Sequence, residues 1–116
     1  PWREMLDGGV AIGLGTDGIR DLWSPYGTGD LLKVVLDFAR LHGLRHDEDL
    51  VSAVRLATSS GAGFVSRLLH DLKVGAPGDV VLLDAENVPD AVVRAPDRAL
   101  VVSGGRVVAE DGQVVL

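Results

Sequence analysis

A chain of 116 residues can bury one modest core, and its formal net charge of -6, pI near 4.8 and lack of any basic cluster argue against nucleic acid or an anionic membrane surface as partners. With no cysteine it has neither a disulfide framework nor thiolate chemistry, which accords with a reducing, cytoplasmic setting. No apolar run approaches the ~20 residues of a membrane span, and no signal-like segment opens the chain.

In chain order, Met5 to Gly9 reads as the end of a short helix or a turn leading into a strand. Val10-Ala11-Ile12-Gly13-Leu14-Gly15 is apolar or glycine throughout, the pattern of a parallel strand covered on both faces. Asp17 then falls at the carboxyl end of that strand, the end at which catalytic and metal-binding side chains collect in parallel α/β architectures. Thr16-Asp17-Gly18 is equally ordinary turn chemistry, since Asp bonds its own backbone and Gly supplies positive φ. The loop that follows contains Asp21, Trp23, Pro25, Tyr26 and Gly27 and runs to Asp30, and a long aromatic loop of this kind favours function over mere connection.

Asp30 can cap a helix with Leu31, Val34, Val35, Phe38 and Leu41 at helical spacing and Gly43 as its stop. Asp47 can cap a second helix with Leu50, Val51, Val54 and Ala57 inward, and Ser59 or Ser60 a third carrying Phe64, Val65, Leu68 and Leu69. Near Leu72 the period changes to two. Asp79 to Asp84, Arg98 to Val102, Arg106 to Ala109 and Gln113 to Leu116 read as strands, with Gly104-Gly105 and Asp111-Gly112 as hairpin turns. Glu86 to Pro96, with two prolines, reads as a connecting loop holding a short turn of helix.

Several features have plain structural explanations. Gly13, Gly15 and Gly18 mimic a dinucleotide fingerprint, but Asp21 stands where the third expected glycine would be and no helix opens there. Asp47, Glu48 and Asp49 suit a helix start through the dipole, and Ser59 and Ser60 suit capping. His42 lies before Gly43 at a helix end, where an imidazolium complements the dipole, while His46 and His70 read as solvated. Trp23 is either a core plug or one wall of a pocket for a flat ligand.

The run from Thr16 to Asp30 resembles the last barrel strand and following loop of cytosine deaminase-like enzymes of the amidohydrolase superfamily. Leu56-Ala57-Thr58 resembles the helix that comes next in that family, Val74 to Asp84 its entry into a small β domain, and Val102-Ser103-Gly104-Gly105-Arg106-Val107-Val108 its terminal hairpin. The resemblance implies an α/β fold: the last strand and helices of a (β/α)₈ TIM-type barrel over residues 1–72, then part of a small β-sandwich over residues 73–116. A complete barrel takes about 250 residues, so this chain is expected to be the C-terminal portion of a larger enzyme.

The resemblance further implies metal-assisted hydrolytic deamination with one divalent metal ion, zinc or iron. In that scheme Asp17 is metal ligand and proton shuttle, and Asp21 and Trp23 border a cytosine-like or related flat heterocycle. The family draws most of its ligands from an H-x-H pair and further histidines that are missing here, so this chain by itself is expected to be inactive. Two departures concern the loop: Gly18 stands where these enzymes often carry a second acid, and Thr16 where they often carry a histidine. They leave open another cyclic amidine, or an N-substituted triazine, as substrate. The apolar first strand needs the remainder of a barrel or another chain, a second copy included, to cover it. A different class of reading is a non-catalytic α+β interaction domain whose first strand pairs within its own sheet.

Overall fold

The computed structural model describes residues 1–65 and 71–115. Helix α1 spans Trp2–Asp7, α2 Leu31–Leu41, α3 Asp47–Ala57 and α4 Ser59–Phe64. As the sequence predicts, the side chain of Asp30 caps α2 by accepting from the Leu32 N–H at 3.0 Å. The same helix ends in a left-handed Gly43, with the Leu44 N–H donating back to the Ala39 carbonyl at 2.9 Å, a closure that only a positive φ allows at this position. For α3 the cap is His46 rather than Asp47. Asp47, Glu48 and Asp49 occupy its first turn instead, where the unsatisfied N–H groups favour negative charge.

The buried core joins Val35 and Ala39 of α2, Leu50 and Ala53 of α3, and Val92 of α5, which spans Val88–Arg94. Expected inward positions shift accordingly. On α2, Leu31 and Leu41 are exposed because they lie at the helix ends, beyond the seam with α3 and α5, while Leu32, Leu36 and Phe38 are half-buried. On α3 the buried line runs Leu50, Ala53, Leu56, and the small Ala53 lets the neighbouring helices approach closely. Helix α1 is clasped onto this layer by the Trp2 ring against Phe38, 5.3 Å between centroids, and by Arg3 to Asp49 of α3 at 2.7 Å.

Residues 10–15 do not form the predicted strand. A parallel ladder needs a neighbouring strand, and none stands beside this segment among the described residues. The segment is anchored by the Leu14 N–H donating to the Leu56 carbonyl of α3 at 2.9 Å. Its side chains alternate, with Ile12, Leu14 and Thr16 half-buried and Ala11, Gly13, Gly15 and Asp17 exposed, so one face lies against the helices and the other is open.

The β half is an antiparallel meander in the order β1 (Val80–Leu83), β2 (Arg98–Ser103), β3 (Arg106–Glu110), β4 (Gln113–Val114). Its register sets Val80 opposite Val102 and Leu100 opposite Glu110. Both predicted hairpin turns are left-handed, Gly104-Gly105 and Asp111-Gly112. Glu86 to Pro96 is more than a loop with one turn of helix. Asn87 caps α5 by accepting from the Asp90 N–H at 2.9 Å, Pro89 sits in the first turn, and Val92 enters the core between α2 and α3. A second tie between the two halves is Arg98 of β2, which donates to the Asp30 carboxylate that caps α2.

Helix α5 is also braced by Arg94, which grips Asp90 with two nitrogens at 2.8 and 2.6 Å and reaches the Asp84 carbonyl at 2.6 Å. The guanidinium pulls the Asp90 carboxyl from 3.8 down to about 2. A depressed folded-state value means that the contribution is complete above the unfolded-state value and disappears as pH falls through the folded one. Urea unfolding of the protein should therefore show a loss of stability between pH 4 and pH 2 that is smaller in the Asp90→Asn variant. An unchanged pH slope in that variant would remove Asp90 from the acid response.

Candidate functional site

Asp17 ends the segment that Leu14 pins to α3, and its backbone is left-handed at φ 57°. Asp tolerates that conformation better than most residues. Its side chain is exposed, and among the described residues no hydrogen bond or ion pair holds the carboxylate. A free carboxylate on a pinned backbone can serve as a ligand or as a proton acceptor.

The following loop folds back on itself. The Arg20 N–H donates to the Tyr26 carbonyl and the Asp21 N–H to the Ser24 carbonyl, each at 2.9 Å. Asp21 Oδ1 accepts the N–H groups of Trp23 at 2.9 Å and Ser24 at 2.8 Å. These bonds, Ser24 first and Trp23 second, hold the Asp21 carboxyl below its ordinary value. They also project the tip outward: Leu22, Trp23 and Tyr26 are 102%, 96% and 80% exposed. Trp23 thus packs into no core of this chain.

Two cavities flank the loop. The larger, about 720 Å³, lies between Leu14, Gly15 and Thr16 on one side and Thr58, Gly61 and Asp79 on the other. A smaller one of about 400 Å³ sits at the foot of the loop between Thr16, Gly18, Tyr26, Gly27 and Lys33. Asp17, Asp21 and Trp23 line neither. Asp21 and Trp23 are brought together, therefore, through a backbone bond, and Asp17 stands at the head of the same loop. Sequence reasoning used Thr58 only for the family resemblance and passed over Gly61; both reach the larger cavity because the Leu14 bond lays residues 14–16 against the junction of α3 and α4. A Cβ on Gly13 would lie 2.9 Å from the Phe64 ring, so a glycine is needed for that close approach. Phe64 and Val65 are nonetheless 64% and 69% exposed, against the inward placement expected of them.

The donor set answers a metal only in part. His42 ends α2 with its ring 4.4 Å from that of Phe38, and His46 is the exposed cap of α3. Leu68, Leu69 and His70 lie outside the described residues. Among the described residues no group of three or more His, Cys, Asp or Glu side chains is arranged to hold an ion. Asp17 fits as one ligand, whereas a divalent ion takes roughly three or four. No described helix is long and apolar enough to cross a membrane.

The sequence profile of the amidohydrolase family matches residues 1–115. The chain is 28% identical to N-isopropylammelide isopropyl amidohydrolase of Pseudomonas sp. over 99% of its own length and 29% of that protein's. It is 29% identical to pterin deaminase of Rhizobium rhizogenes, over 91% of this chain and 24% of that one. Among solved structures, N-isopropylammelide isopropylaminohydrolase from Burkholderia multivorans superposes with a TM-score of 0.89 at 39% identity, covering 95% of this chain and 28% of that one. A 5-methylcytosine deaminase from Klebsiella pneumoniae superposes at 0.83 with 24% identity over 94% of this chain and 27% of that one, a likeness of fold.

Proposed function

The chain belongs to the amidohydrolase family, and from that membership we propose that it works as the C-terminal portion of a metal-dependent amidohydrolase that hydrolyses a C–N bond on a cytosine-like or related nitrogen heterocycle. The observation that carries the reading is the superposition, at 39% identity over 95% of the chain, on an enzyme named for N-isopropylammelide. The same observation favours an N-substituted triazine among the substrates open to the site. The interaction-domain reading required residues 10–15 to pair within the chain's own sheet, and the order β1-β2-β3-β4 leaves them outside it.

In this reading residues 1–72 complete a TIM-type barrel and residues 73–116 contribute to a small β-sandwich. The rest of the barrel covers the open face of residues 10–15 and the exposed Phe64 and Val65. A cytoplasmic setting and a homo-oligomer are compatible with the cysteine-free, acidic composition. One divalent ion, zinc or iron, supplies acidified water at neutral pH when bound. Asp17 contributes one ligand. It accepts a proton as water attacks the ring carbon and returns it to the departing nitrogen. Trp23 and Asp21 border the ring.

The test uses the full-length enzyme loaded with zinc or iron. It should release ammonia from cytosine-like rings or alkylamine from N-alkylated triazines, and elemental analysis should find one metal per full-length chain. The 116-residue chain alone should retain no stoichiometric metal after dialysis, because one carboxylate is not a closed site. No release from either ring class by the metal-loaded enzyme sinks the reading. One ion tightly held by the short chain sinks the ligand count.

A further inference from the structure

Gly18 and Asp21 meet in the loop that follows Asp17. A Cβ built on Gly18 would lie 2.9 Å from Cγ and 3.0 Å from Oδ1 of Asp21, and closer still to Oδ2. The Asp21 side chain therefore occupies the volume that any larger residue at position 18 would claim. It cannot swing clear without loss, since its Oδ1 is already committed to the N–H groups of Trp23 and Ser24 at 2.9 and 2.8 Å. The φ of Gly18 is not among the left-handed values, so what demands glycine here is space and not backbone conformation. At the other foot of the loop, a Cβ on Gly27 would lie 3.3 Å from the Gly18 carbonyl oxygen, so the two ends of the loop close on each other at Gly18.

We infer that Gly18 and Asp21 form a lock that sets the backbone course of the loop at Trp23, with Asp21 acting as a positioning residue through its Oδ1 hydrogen bonds and Gly18 leaving, in this chain, the room that the Asp21 carboxylate fills. This assigns Asp21 a duty that does not need its charge. An asparagine carries the same Oδ1 acceptor and forms the same turn, whereas alanine carries none. The kinetic consequence rests on the deaminase-type reading of the loop as a pocket wall; the structural consequence does not.

Four variants of the full-length enzyme test it: Gly18→Ala, Asp21→Ala, Asp21→Asn and the double variant Gly18→Ala/Asp21→Ala. Hydrogen exchange over residues 20–26, followed by mass spectrometry, reads the lock without any need for turnover. Exchange should be faster in Gly18→Ala and Asp21→Ala, unchanged in Asp21→Asn, and no faster in the double variant than in Asp21→Ala, because the added Cβ has then lost the group it displaces. On the ring substrate, Gly18→Ala and Asp21→Ala should raise KM about tenfold with kcat changed less. If exchange over residues 20–26 is as fast in Asp21→Asn as in Asp21→Ala, the charge and not the turn matters, and the lock is wrong. Strictly additive effects of Gly18→Ala and Asp21→Ala overturn the contact between them. Altered exchange in an enzyme that turns over no ring substrate leaves the lock standing and counts against the proposed activity alone.

Discussion

Asp17→Asn in the full-length enzyme should lower kcat by at least about 10²–10⁴-fold, the span that general acid–base roles alone contribute, with loss of a metal ligand adding to it. Asn is the informative substitution because, like Asp, it accepts the left-handed backbone that position 17 requires at φ 57°. It keeps the size and an acceptor oxygen of the side chain while removing the negative charge. Asp17→Ala should lose as much turnover but also about 1 kcal/mol of stability from the strained φ, an effect unrelated to chemistry. Folding is expected to survive Asp17→Asn, since the carboxylate holds nothing among the described residues. Thermal unfolding and steady-state kinetics on the same preparation check both halves. A variant that keeps more than about a tenth of the parent kcat, well short of an acid–base loss, assigns Asp17 to the turn.

Local chemistry made much of the architecture legible. Asp30 and Gly43 bound α2 because a cap and a left-handed stop are decided within a few residues, and the Gly104-Gly105 and Asp111-Gly112 turns follow from φ alone. What was misread depends on distant partners. Residues 10–15 look like a strand, yet a strand exists only beside another, and none stands next to them among the described residues. Helix α5 was underestimated because two prolines suggested a loop, whereas Asn87 and Pro89 are a helix start and Val92 is recruited by α2 and α3, whose core residues lie at least 39 positions earlier in the chain. The candidate site rests on residue types within one loop, and its assembly could not be read from them. Asp17, Asp21 and Trp23 could be singled out from one loop, but the brace from Asp21 to the Trp23 amide, and the absence of a side chain at Gly18 that permits it, appear only once the loop is closed.

Trp23→Ala separates a pocket wall from a structural plug, and the structure gives the expected direction. Trp23 is 96% exposed, and its neighbours Leu22 and Tyr26 share that exposure, so truncating it removes no core contact of this chain, and a pocket wall should leave the melting temperature of the full-length enzyme nearly unchanged. A buried plug of this size would instead cost about 3–5 kcal/mol. If the ring faces a flat heterocycle, the lost stacking is worth about 1–3 kcal/mol, which raises KM roughly tenfold or more for the preferred ring and alters the ranking among ring substrates. Trp23→Phe, which keeps an aromatic face, should recover part of that affinity. Leu22→Ala serves as the control, because it removes an equally exposed apolar group from the same tip and should leave KM unchanged. The pocket assignment fails if Trp23→Ala lowers the melting temperature strongly while KM in the remaining folded enzyme stays at the parent value. It fails equally if Leu22→Ala raises KM as much as Trp23→Ala, since the effect would then belong to the loop as a whole and not to the indole.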